Sequence, residues 1–221
     1  MSAHPIVCAP KALPRKHWVK AAHRAVEVFP GSHPRLERLV GIAPQFQLTP
    51  ERIAVVTSKY WSKKGIRLTV GFLDAPPRDL RARILLHMNA WAKSANVTFV
   101  TSETDPRVRI ARVDSPPAVA GYWSYVGTDI LSIPKDKPIL NLEAFTMETP
   151  ESEFLRVVRH ETPIEESSLL GTANPDPNSI MCYQVPGFLT RDGKPIIGGT
   201  NIDATDSVFA GEIYPKPSAR R

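Results

Sequence analysis

Arg159-His160-Glu161-Thr162-Pro163 holds the side chains of this sequence best suited to chemistry. An imidazole followed at once by a carboxylate begins the pattern H-E-x-x-H. On a helix, that pattern sets two histidines one turn apart on one face. They hold a zinc ion, and the glutamate beside the metal serves as general base. Here the pattern stops after its first half. Ile164 stands where the second histidine would come, and Leu170 where a third ligand would follow. Neither can give an electron pair to a metal. Farther on, Ser179-Ile180-Met181-Cys182-Tyr183 brings a thioether, a thiol and a phenol into one short stretch.

Other donors are sparse. His4, His17, His23, His33 and His87 all lie upstream, and none stands in a ligand motif. Glu165, Glu166 or Asp176 could supply an oxygen. A catalytic zinc uses about three protein ligands. His160 and Tyr183 make two, and a phenol is a weak ligand while protonated. Each residue also has a plain structural role open to it. His160 suits a helix C-terminus, where the dipole favours a cation. Glu161 suits a solvated surface, and Met181 and Tyr183 suit ordinary packing.

Periodicity and punctuation show the elements that must carry these residues. Residues 1–14 are proline-rich and read as poorly ordered. Trp18, Ala21, Ala22, Ala25 and Val26 recur at helical spacing and predict a helix over 15–28, closed by Pro30-Gly31. Thr49-Pro50-Glu51 is a helix start, with a capping hydroxyl, a proline at the first helical position and an acid in the first turn. Residues 65–73 alternate as a strand. Residues 79–95 predict the longest helix, with Leu80, Ile84, Met88 and Trp91 on one stripe. Strands follow at 96–100 and 108–113, and strand–helix–strand order implies parallel pairing. Residues 122–133 read as short extended pieces. Thr149-Pro150-Glu151 starts a second long helix, buried through Phe154, Val157 and Val158, which reaches His160 and Glu161. Pro163 ends it, because a proline disfavours helical backbone at the residue before it. Asp192-Gly193 predicts a hairpin turn, and 203–210 a last short helix.

Bulk composition narrows the class. At 221 residues the chain fits one domain, here with an N-terminal extension. A chain 42% hydrophobic and 23% charged is not a disordered one. Twenty-two prolines favour a loop-rich α+β build over a helical bundle. The net charge of +6 is concentrated near the start, where Lys11, Arg15, Lys16, Lys20 and Arg24 cluster. Such a cluster could meet nucleic acid or an acidic surface, but a solvated helix face explains it as simply. Two cysteines, Cys8 and Cys182, make no disulfide framework. No apolar h-region accompanies the early basic residues, so no signal peptide is read, and no apolar run reaches membrane-spanning length.

Four stretches, taken in order, resemble the astacin-type zinc metallopeptidases of the metzincin clan. Residues 65–74 and 79–100 are similar to the family's first strand and first helix. Gly121-Tyr122-Trp123-Ser124-Tyr125-Val126-Gly127 is similar to its G-C-W-S-Y-V-G segment. Arg159-His160-Glu161-Thr162 resembles the start of H-E-x-x-H-x-x-G-x-x-H-E, and Ser179-Ile180-Met181-Cys182-Tyr183 resembles its S-x-M-x-Y turn. The resemblance spans roughly 50–215. It implies an α+β, zincin-type domain over 49–221, with a twisted, mainly parallel sheet, two long helices and a shortened C-terminal subdomain. Residues 1–48 are left as a basic, partly ordered extension.

The resemblance also assigns roles. His160 becomes a zinc ligand, Glu161 the general base, and Tyr183 both an extra ligand and an oxyanion stabiliser. Met181 becomes the floor beneath the metal. Trp123, Ser124, Tyr125, Asp129, Ile130 and Leu131 belong to the edge strand on which a peptide or protein substrate aligns by β-augmentation. The expected activity is zinc-dependent endopeptidase. Family members are often secreted. The sequence departs from the pattern where it matters most. It passes from Thr162 to Pro163-Ile164-Glu165-Glu166, which reads as a deletion carrying away two zinc histidines. Tyr122 replaces the family's cysteine, and 1–48 contains no aspartate-switch propeptide motif. The activity is therefore expected to be impaired or absent. The alternatives are a noncatalytic peptide-binding pseudoenzyme and, more weakly supported, a basic nucleic-acid adaptor.

Overall fold

The computed structural model describes residues 8–11, 13–30, 61, 65–113, 122–142, 176–182 and 187–217. The helices predicted at 49–60 and 149–162, and with them His160, Glu161 and Tyr183, lie outside these residues.

The fold is α+β, and its sheet is mainly parallel. Its first inner strand, β2 (Ile66–Phe72), alternates as predicted, with Ile66, Leu68 and Val70 buried and Arg67 exposed. It pairs in parallel with β3 (Val97–Thr101) on one side and β4 (Val108–Ala111) on the other. Gly65 begins β2 with φ +85°, where a Cβ would run into Asn96, so only glycine lets the strand start this close to its neighbour. Among the described residues, β1 (Cys8–Lys11), β5 (Tyr122–Tyr125) and β6 (Leu140–Asn141) complete six strands in the order β1-β5-β6-β4-β2-β3. The β5–β6 pair is antiparallel, and the other pairs are parallel.

One core lies against this sheet. Trp61, Ile66, Leu68, Val70, Val108, Ile110, Ile130 and Ile139 form it, and Ile84, Leu85 and Met88 of helix α2 (Arg78–Met88) pack on it. The first helix, α1 (Trp18–Val28), follows a short 3-10 turn at Arg15–His17 and turns Ala21, Ala22 and Ala25 inward. The last, α3 (Ala204–Ile213), starts at an Asp203 cap. None of the described helices is long and apolar enough to cross a membrane.

Three expectations change. Helix α2 stops at Met88, and residues Asn89–Lys93 tighten into a 3-10 helix instead of continuing to Ala95. Asn89 accounts for this change. Its carboxamide Nδ2 donates to Leu85 O at 3.1 Å and Phe99 O at 2.9 Å, and its Oδ1 accepts from Phe99 N at 2.8 Å, which clamps the helix end to β3. The proline-rich start is not wholly irregular, because Cys8–Lys11 finds a strand to pair with. Asp192-Gly193 does turn, with Gly193 at φ +71°, but a 3-10 turn at Gly187–Leu189 precedes it rather than a strand.

Two buried polar side chains hold the sheet to its loops. Arg109 in β4 donates to the carbonyls of Lys137 at 2.8 Å and Ile133 at 3.2 Å, and more weakly to those of Arg107 and Pro106. Burial pushes its guanidinium pKa down. Asn141 copies a strand. Its Oδ1 accepts from Val113 N and its Nδ2 donates to Val113 O, both at 2.8 Å, so the chain leaving β4 stays tied to β6. Replacing it by alanine (Asn141→Ala) strands two buried backbone groups, and the expected loss is about 2–4 kcal/mol in urea unfolding. A loss under about 0.5 kcal/mol would mean that water replaces the clamp without cost.

Candidate functional site

Two regions carry the site residues that the structure describes. The first surrounds β5. Its register with β1 runs Cys8↔Tyr122, Ala9↔Trp123, Pro10↔Ser124 and Lys11↔Tyr125. Trp123, Ser124 and Tyr125 therefore do not form the sheet edge, as the sequence had suggested. They lie between β6 and an extended segment of the same chain, and β1 is the outer strand. The strand is also shorter than expected. Asp129, Ile130 and Leu131 belong to a 3-10 turn over Gly127–Ser132, and Thr128, Asp129 and Ile130 are buried. Gly127 enters this turn at φ +56°, a left-handed backbone that breaks the extended run.

The contacts between β1 and β5 are specific. Lys11 Nζ sits 3.5 Å from the centroid of the Trp123 ring, a cation over an aromatic face. Half-burial lowers the Lys11 pKa from its usual 10.5. Trp123 packs edge-on against Tyr125, with centroids 6.2 Å apart. The Tyr125 phenol is pushed above its usual range, first by burial and then by the negative charge of Asp129. Beyond β1, Leu13 N donates to Asp129 Oδ2 at 3.5 Å, and Trp18 Nε1 donates to Leu13 O at 2.7 Å. The small faces of Ala21, Ala22 and Ala25 let α1 lie close to the Gly127–Ser132 turn. β1, Leu13 and α1 thus pack on β5 and the turn after it.

The second region is the turn at 176–182. Asp176 Oδ1 accepts from Asn178 N at 2.9 Å, and hydrogen bonds from Asn178 and Thr205 lower its carboxyl pKa. Ser179 O accepts from Cys182 N at 2.9 Å. Met181 is 72% exposed here. Cys182 is partly buried and forms no disulfide. Asp206 of α3 reaches across to this turn, a contact that the sequence did not reveal. The helix over 203–210 was legible, but not the bonds that Asp206 makes to the turn. Lys11 was likewise read only as part of a basic cluster.

The first region joins residues 8–28 to 122–132, and the second joins 176–182 to α3. Among the described residues, no group of three or more His, Cys, Asp or Glu is placed to hold a metal ion.

An α+β fold of this kind occurs in solved structures. The chain is similar to the crystal structure of myroilysin, at 25% identity and a TM-score of 0.52, over 72% of this chain and 87% of that one. A second structure of myroilysin aligns over 73% of this chain and 98% of its own, at 25% identity and a TM-score of 0.53. No protein-family model matches the chain, and no curated protein does.

Proposed function

We propose that this chain is a metzincin-type, astacin-like endopeptidase by descent, with a zinc centre that is incomplete in the sequence as it stands. The observation that carries the reading is the shared fold with myroilysin, a metallopeptidase, over nearly the whole of that chain. His160-Glu161 ahead of Ser179-Ile180-Met181-Cys182-Tyr183 adds the chemistry. A peptidase of this class has a peptide or protein as substrate.

The donor set does not fit a catalytic zinc. His160 is the only histidine after His87, and Ile164 and Leu170 occupy the other ligand positions. Losing two of three ligands removes most of the binding free energy, since the remaining donors must be ordered for a single strong bond. Glu161 keeps the character of a general base but has no activated water to deprotonate. With zinc supplied, the purified chain is expected to cleave a mixed peptide library no faster than its Glu161→Ala variant. Cleavage at least tenfold above that variant would show a working centre, rebuilt with Glu165, Glu166 or Asp176.

Retained peptide binding is the second reading, and β5 favours it. This strand already accepts an extended segment, residues Cys8–Lys11, in parallel register. An incoming peptide must displace that segment, so its apparent affinity is proportional to the fraction of chains in which β1 is released. Lys11→Glu puts a carboxylate over the negative face of Trp123. Removing about 1 kcal/mol of attraction is expected to raise the released fraction, and with it peptide affinity, about fivefold. Unchanged affinity measured by calorimetry would place peptide binding elsewhere.

A further inference from the structure

The turn at 176–182 is short, polar and largely exposed, yet it is held at several points. Ser179 is its hub. The Oγ donates to Asp206 Oδ1 at 2.5 Å and accepts from Met181 N at 3.0 Å. Its carbonyl accepts from Gly199 N at 3.0 Å as well as from Cys182 N. Asp206 uses its other oxygen twice. Oδ2 accepts from Ile180 N at 3.1 Å and from Asp203 N at 3.2 Å. The buried carboxylate thus serves two elements at once. It closes the capping box at the start of α3, and it holds two consecutive residues of a turn more than twenty positions earlier in the chain.

The other side of this link is rigid. Helix α3 packs against the 3-10 helix Asn89–Lys93, and its Gly211 lies close to Ser94 O. Asn96 N, one residue before β3, donates to Tyr214 O at 2.8 Å, and Lys216 Nζ donates to Lys93 O at 2.7 Å. Gly199 approaches so closely that a Cβ there would overlap Asn178 O. The turn is therefore referenced to the sheet through α3. A carboxylate accepting from a hydroxyl and two amides makes charge-assisted bonds, which are shorter and stronger than neutral ones.

We infer that Asp206 is a positioning residue. Through Ser179 and Ile180 it fixes the turn at 176–182, so α3 acts as a bracket for that turn. The functional half of this inference rests on the reading of Tyr183 as a site residue, and the mechanical half does not. Cys182, next to Tyr183 in the chain, reports on the turn without any enzymatic assay. In a full-length Cys8→Ser background, Asp206→Ala and Ser179→Ala are each expected to raise the rate of Cys182 labelling by a disulfide reagent about tenfold. Ser179→Thr, which keeps the hydroxyl, should restore the parent rate. Asn141→Ala, which removes the bonds to Val113 and none of those that hold the turn, should leave labelling near the parent rate in conditions where the chain stays folded. Peptide affinity, measured in parallel, should weaken in Asp206→Ala and Ser179→Ala but not in Ser179→Thr. Parent-like labelling in both alanine variants, or equal acceleration in Asn141→Ala, would overturn the bracket. Faster labelling with unchanged peptide affinity would uphold the bracket and reject the involvement of this turn in peptide binding.

Discussion

Parallel pairing of Ile66–Phe72 on both of its edges is the constraint on which the rest of this structure depends. The strand is bonded to β3 along Ile66–Val70 and to β4 along Val70–Phe72, so every part of it has a backbone partner, and what its side chains bury sets most of its free energy. Ile66, Leu68 and Val70 bury theirs against Val108, Ile110 and the apolar face of α2. Parallel neighbours cannot be joined by a tight turn. Helix α2 is the crossover that this geometry requires between β2 and β3. Asn89 then fixes where the crossover ends, and Asn141 fixes where the chain leaves β4.

Once that sheet is in place, the N-terminal segment has a partner. A strand with an unpaired edge is a template for another extended chain, and proteins generally cover such edges. Here Cys8–Lys11 covers β5. The cation of Lys11 over Trp123, the hydrogen bond from Leu13 to Asp129, and the alanine face of α1 extend the contact past the strand itself. The edge of β5 is therefore covered from within, by a segment of the same chain.

The elements with strong local periodicity were legible in the sequence. The alternation of Ile66, Leu68 and Val70 marked β2, the Ala21-Ala22-Ala25 spacing marked α1, and Asp203 marked the start of α3. Long-range information was not legible. Nothing in Cys8-Ala9-Pro10-Lys11 signals a strand, because its pairing comes from a register with Tyr122–Tyr125 more than a hundred residues away. The end of β5 was missed for a related reason. Val126-Gly127-Thr128-Asp129 continues an apparently extended run, and only the left-handed Gly127 and the burial of Asp129 turn it into a 3-10 helix. Of the candidate site, β5 and the turn at Ser179 were found as segments. Asp206 could not be singled out in the sequence, since its link to the turn exists only when the chain has folded.

We propose a myroilysin-like fold joined to a ligand set, His160 with Ile164 and Leu170, that does not hold catalytic zinc. Native mass spectrometry of the full chain, after exposure to micromolar zinc and buffer exchange, tests that claim most directly. The predicted spectrum shows the metal-free chain as the dominant species, indistinguishable from that of His160→Ala. A dominant species carrying one zinc, which His160→Ala abolishes, would contradict it.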